Sequence, residues 1–289
     1  MAGNFIDTFR MGFKRVPANQ GAQVKLVETD YGNLRVLDTQ GYKPVIINVP
    51  DGPNVIEHHE ELIKGLATRF RVICFEFPGF GFSYPSSQYD YSLHKSADLL
   101  LNLMDILKVD KAALSLSCSN GFYAIKAIEK APERFNHLFL AQTPSMHAMR
   151  NWAANTIPSV LTLPVIGQLA NSFLEKKFAR SWYKYALPKG ADVSDYKERA
   201  LHALNNGGCF CLSGLVQGLR KDSDSELNVT GVPATMVWGS KDFTHTKTDS
   251  QSIRTHLPGC EIISFDHCGH FPELEDTKNY VSLLNERLG

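Results

Sequence analysis

The sequence predicts an α/β fold: a doubly wound, mostly parallel sheet with an inserted helical cap. Three observations carry this. Short apolar runs rich in β-branched residues alternate with amphipathic stretches of helix length, the alternation stops between residues 143 and 228, and it then resumes to the end of the chain. Alternating strands and helices imply crossovers and a parallel sheet with both faces covered. At 289 residues and 43% hydrophobic content, the chain can fill a large core.

Taken in order, residues 1–23 form an N-terminal extension in which Phe5, Phe9 and Phe13 recur at helical spacing. Such a stripe suits docking against the body or a partner subunit better than a membrane surface. Residues 24–142 are the first part of the core. "VKLVE" and "LRVLD" flank the turn-rich "TDYGN" and read as a hairpin. "VIINV" (45–49), "RVICFE" (71–76), "AALSL" (112–116) and "HLFLA" (137–141) read as buried strands. Glu57 to Arg69 and Ser92 to Leu107 show apolar spacing of three and four between them. Residues 143–228 carry prolines 144, 158, 164 and 188 among helix-like segments, the expected cap. Residues 229–289 complete the core with "ATMVW" (234–238), "EIISF" (261–265) and the amphipathic "TKNYVSLLNERL".

Thirty basic and thirty acidic residues cancel, and no basic stripe exists to follow a phosphate backbone, so nucleic acid is excluded as a partner. No run is apolar enough for an integral membrane segment, and the first residues lack a basic-then-apolar signal pattern. A cytoplasmic protein, monomer or homodimer, acting on a small molecule is the expectation. The six cysteines (74, 118, 209, 211, 260 and 268) show no disulfide framework and read as free thiols.

Parallel sheets bind ligands beyond the carboxyl ends of their strands, which directs attention to the residues that follow each run. These are "PDGPN" (50–54), "FPGFGFS" (77–83), "SCSNG" (117–121), "GSKD" (239–242) and "HCGHFPELE" (267–275). "SCSNG" lies between a strand and a helix, where a sharp turn would lift one side chain above the sheet. Small residues two positions either side of the apex suit such a turn. Ser117 and Gly121 meet that need around Ser119, which leaves Cys118 packed against the sheet.

With "FPGFGFS", "WGSKD" and "GHFPELE", the chain resembles the α/β-hydrolase superfamily over about residues 24 to 289. That family's nucleophile turn is G-x-S-x-G, with partners in the order Ser, Asp, His. The resemblance implies Ser119 as nucleophile, His270 as its base and Asp242 as the group that orients the imidazole. The oxyanion hole would use the amides of Asn120 and of a residue in the loop after the third strand. Where the family usually has His-Gly, this chain has Pro50-Asp51. The gapless register makes Gly52 the second donor, whereas the alternative would use Pro53, which has no N–H.

His59, Trp152, Trp182 and Tyr185 are candidates for the substrate pocket. No cofactor or metal is implied, since ligation around Cys118, His267, Cys268 and His270 would consume the base. The leading expectation is a serine hydrolase cleaving a small to medium apolar ester, thioester or lactone through an acyl enzyme. Asp51 beside a developing oxyanion motivates two alternatives on the same scaffold. One is a carbon–carbon hydrolase or a non-hydrolytic lyase or cyclase; the other is a ligand-binding protein that has lost catalysis.

Overall fold

The computed structural model describes residues 2–14, 23–221 and 227–289, so parts of the expected N-terminal extension and cap lie outside the described residues. The chain opens with α1 (Ala2–Gly12) and the antiparallel hairpin β1 (Val24–Thr29) and β2 (Gly32–Asp38), closed at Asp30-Tyr31. Next come β3 (Val45–Val49), α2 (Glu60–Ala67), β4 (Arg71–Phe75), the short β5 (Phe80–Gly81) and β6 (Tyr84–Pro85), and α3 (Leu93–Ile106). Then β7 (Ala112–Ser117), α4 (Asn120–Lys130) and β8 (Phe135–Ala141) complete the first run. After Ala141 the chain leaves the sheet to build α5 (Met146–Thr156), α6 (Ile166–Ala186), α7 (Ser194–Asn205), β9 (Cys209–Phe210) and α8 (Leu212–Leu219). It returns with β10 (Ala234–Gly239), β11 (Glu261–Phe265), the single turn α9 (Pro272–Glu275) and α10 (Thr277–Leu288).

The main sheet runs β1-β2-β4-β3-β7-β8-β10-β11, with β6 added to β2. From β4 to β11 every neighbouring pair is parallel, while β1–β2 and β2–β4 are antiparallel. Successive strand side chains point to opposite faces, so a buried parallel strand must be apolar on both. Ile47, Ile73, Leu114, Leu138, Leu140 and Met236 share one core with residues of α3 and α4. Ile46, Val72, Ala113, Phe139 and Val237 belong to the other, with residues of α2 and α10. Each fully buried Leu, Ile or Val contributes on the order of 1.5–3 kcal/mol. A one-residue slip in any of these strands would exchange the two cores.

Two features position the site. The loop "FPGFGFS" is tied down from inside: buried Glu76 accepts from the amides of Phe82 (2.7 Å) and Ile56 (3.0 Å), and Arg35 Nη1 lies 3.1 Å from its carboxylate. Gly81 sits at φ +53° with Glu76 so close that a β-carbon would fall 2.3 Å from the carboxylate, so only glycine fits. Phe80, held by this loop, packs on Phe210 where β5 pairs with β9, joining core to cap.

The second feature is α1, which lies against α6. Arg10 Nη2 reaches Glu175 Oε2 at 3.2 Å, and Lys14 Nζ reaches Glu175 Oε1 at 3.4 Å. Of the two expected docking places for the aromatic stripe, the body and a partner subunit, the body does not receive it. Phe5, Phe9 and Phe13 are 62%, 58% and 75% exposed, because the buried face of α1 carries Asn4, Asp7 and Met11 instead.

Candidate active site

β7 delivers the chain to a sharp turn whose apex is Cys118, at φ +54°. A side chain in this left-handed region costs about 1–3 kcal/mol and persists only where neighbours fix it. Here Cys118 N donates to Ala141 O (2.7 Å), and its carbonyl accepts from Thr143 Oγ1 (2.9 Å) and from Gly121 N (3.2 Å). Ser119 has φ −65° and ψ −26°, ordinary helical values at the N-cap of α4. The apex expected at Ser119 therefore lies one residue earlier, at Cys118. Gly121 is needed for another reason: a β-carbon there would sit 2.6 Å from Thr143 Oγ1 and 2.8 Å from Leu140. Ser117 is buried, and its hydroxyl donates to Glu273 Oε1 at 2.7 Å.

His270 and Asp242 meet as the sequence order implies, with Nδ1 and Oδ2 2.5 Å apart and both residues buried. The same Oδ2 accepts from Gln142 Nε2 (2.9 Å), while Oδ1 accepts from the Thr244 amide (2.8 Å) and hydroxyl (2.7 Å). Asp242 thus both orients the imidazole and caps the short turn Phe243–His245. Burial opposes its ionisation, but the His270 charge and hydrogen bond prevail and bring it down to about 2. Burial likewise opposes charge on His270; Asp242, with Cys118 and Asp51, more than offsets this and holds its pKa well above the usual histidine range. The backbone amide of His270 donates to Ala186 O at the end of α6 (2.8 Å), and the His245 ring stacks on its own at 5.4 Å.

The other face of the imidazole carries the surprise. Asp51 Oδ2 stands 3.4 Å from His270 Nε2, and the reactive atoms of Asp51, Cys118 and His270 lie within 4.8 Å of one another. Burial raises the Asp51 carboxyl against the pull of His270. Burial and the Asp51 charge push the Cys118 thiol up to about 11, with His270 opposing.

Gly52 borders the same cavity beside Asp51, Cys118 and Ser119. Asn120 enters differently from expectation. With the apex at Cys118, the amide that follows it is that of Ser119, and the Asn120 side chain, apart from its backbone amide, donates to Pro50 O (3.2 Å), tying the loop after β3 to α4.

The cavity above the turn measures about 680 Å³, and Trp152, Trp182 and Tyr185 line it, with Phe178, Leu215 and Phe210. His59 does not. It is fully buried in the turn before α2, with neither ring nitrogen hydrogen-bonded and a pKa that burial drives down to about 3. His58 bonds the Val55 amide and stands 3.0 Å from Tyr196 O, a bracing role. All six cysteines are free and buried. Sequence reasoning missed Gln142, whose φ of +50° just after β8 is a backbone signature without a sequence signal.

Among the described residues, no helix is long and apolar enough to cross a membrane. A pimeloyl-[acyl-carrier protein] methyl ester esterase of Nitrosomonas europaea is 24% identical over 247 residues, covering 81% of this chain and 95% of that one. A cis-3-alkyl-4-alkyloxetan-2-one decarboxylase of Shewanella oneidensis is 26% identical over 270 residues, covering 86% and 83%. The crystal structure of carboxylesterase CesB from Bacillus subtilis superposes with a TM-score of 0.68 at 16% identity, covering 99% of this chain and 95% of that one. The family profile for the alpha/beta hydrolase fold matches residues 44–277, and together with the sheet order and the strand-to-helix turn this establishes that the chain belongs to the α/β-hydrolase fold family.

Proposed function

We propose that the protein is a carboxylic ester hydrolase, acting on an ester, thioester or lactone with an apolar acyl part, and that Cys118 is its nucleophile in place of Ser119. The observation that carries this is the left-handed apex at Cys118, with its thiol in the same cluster as His270 Nε2 while His270 Nδ1 rests on Asp242. A cavity of about 680 Å³ with mostly apolar walls suits an acyl chain. The similarity to a methyl ester esterase supports the reaction class.

In this reading the thiolate attacks the acyl carbon, and the amides of Gly52 and Ser119 face the oxygen that becomes negative. Neither amide donates to a backbone carbonyl among the described residues. The alcohol leaves, a thioester to Cys118 remains, and water releases the acid. Hydrolysis of p-nitrophenyl butyrate by Cys118→Ala and Ser119→Ala decides the assignment. Cys118→Ala abolishes turnover and Ser119→Ala retains it; the opposite result would restore Ser119.

A further inference from the structure

We infer that Asp51 is the proton carrier of this acyl transfer: its carboxylate takes the thiol proton of Cys118 while His270 remains a cation, and it later protonates the departing oxygen. This rests on the reading of Cys118 as nucleophile.

What surrounds the imidazole decides which group can take the proton. In a triad with one carboxylate, the second ring nitrogen is free to accept the nucleophile's proton. Here His270 stands between two carboxylates, Asp242 at Nδ1 and Asp51 at Nε2. Asp51 Oδ2 stands beside Nε2 without forming a hydrogen bond to it, and the charges of Asp242 and Asp51 favour the protonated ring, which makes Nε2 a poor acceptor for a further proton. The remaining acceptor within the cluster is Asp51, whose side chain is 7% exposed and borders the cavity. The titratable groups that act on it are His270 and Asp242, and it acts in turn on Cys118, Tyr183 and Glu273. Of these, His270 is the one cation. Burial makes the Asp51 carboxylate a better base than an ordinary aspartate.

Charge balance gives a second reason. A fixed anion in the oxyanion loop would oppose the negative charge of the tetrahedral intermediate. If Asp51 has first taken the thiol proton, it is neutral when that charge develops. The negative charge passes from Asp51 to sulfur and from sulfur to the carbonyl oxygen, and the net charge of the site stays constant throughout. The steps close. The S–H proton moves to Asp51, the S–C bond forms, the C–O bond to the leaving group breaks, and the Asp51 proton goes to that oxygen. In the second half, water gives a proton to Asp51, its oxygen bonds the thioester carbon, the C–S bond breaks, and the proton returns to sulfur.

The test uses the full chain and two reactions: alkylation of Cys118 by iodoacetamide, mapped by mass spectrometry without any ester, and steady-state turnover of p-nitrophenyl butyrate. At pH 7, Asp51→Asn slows alkylation about tenfold and turnover on the order of 100-fold, with KM unchanged, and Asp51→Glu recovers part of both. Asp51→Ser serves as the second carboxylate-free variant should the amide disturb folding, judged by thermal melting. Equal or faster alkylation and turnover in the carboxylate-free variants would overturn the inference, because Asp51 would then only be holding His270 protonated. The two readings fail separately. Asp51-dependent alkylation in a protein that turns over no ester defeats the ester reading alone. Cys118-dependent ester turnover indifferent to Asp51 defeats this inference alone.

Discussion

Gln142 and Asp242 are joined at 2.9 Å through the same carboxylate oxygen that faces His270, and Gln142 Oε1 accepts from the Gly239 amide at 2.8 Å. The glutamine thus couples the end of β10 to the carboxylate that holds the His270 ring. Gln142→Leu leaves Asp242 one donor short and free to rotate. A hydrogen bond to a charged group is worth about 1.5–3 kcal/mol. The expected outcome is a kcat lower by about tenfold or more with little change in KM, read from steady-state ester kinetics.

The apex assignment has a test independent of activity. A β-carbon at φ +54° costs about 1–2 kcal/mol, which glycine does not incur. Cys118→Gly is expected to be more stable than Cys118→Ala by about 1 kcal/mol in urea unfolding. At Ser119, in helical backbone, the order reverses and alanine is the more stable variant. Matching orders at both positions would contradict the placement of the turn.

Below the turn, Glu273 is wholly buried with Oε2 unpartnered, and burial, partly offset by Ser117, drives it up to about 7. The folded protein therefore keeps a proton that the unfolded chain gives up above about 4.5. Stability contributed by the neutral acid is full below that value and is lost as pH rises through about 7. The span from 4.5 to about 7 corresponds to about 3 kcal/mol. Glu273→Gln removes this dependence, so its stability relative to wild type should rise by up to that amount between pH 4.5 and pH 8. Urea midpoints at the two pH values measure it, and a constant offset would show that Glu273 does not titrate in this range.

The cavity predicts chain-length selectivity. Leu215 lines its wall, and Leu215→Trp adds bulk where a longer acyl chain would lie. Turnover of p-nitrophenyl octanoate should fall on the order of tenfold or more, while the acetate ester is barely affected. Equal losses for both esters would place the acyl chain elsewhere.

The sheet was legible because burial on both faces fills strands such as Val45–Val49 and Ala112–Ser117 with apolar residues, and few other structures demand that. Asp242 and His270 were legible because each directly follows a strand or its loop at the end where an α/β sheet binds ligands. The turn itself was misplaced by one residue. Gly121 pointed to Ser119 through its spacing, yet Gly121 is small to clear Thr143 and Leu140. Which residue adopts the left-handed backbone is decided by bonds to Ala141 and Thr143, far along the chain, and a local pattern cannot carry that. Asp51 stood out in the sequence as an oddity; its place at His270 Nε2 required the fold. The phenylalanine stripe does not cover the body and His59 does not line the cavity, because periodicity does not say which face of a helix is covered, nor residue type which histidine reaches a cavity.

The grip of α1 on Glu175 reaches further than its distance from the chemistry suggests. Glu175 lies on α6, which farther along presents Trp182 to the cavity and ends at Ala186, whose carbonyl holds the His270 backbone. One rigid rod thus links the first residues of the chain to the imidazole. A fragment trimmed to the hydrolase core would release this rod at one end, so the arm is part of the enzyme's working length, and changes made to it offer a handle on His270 and the cavity that leaves every residue of both intact.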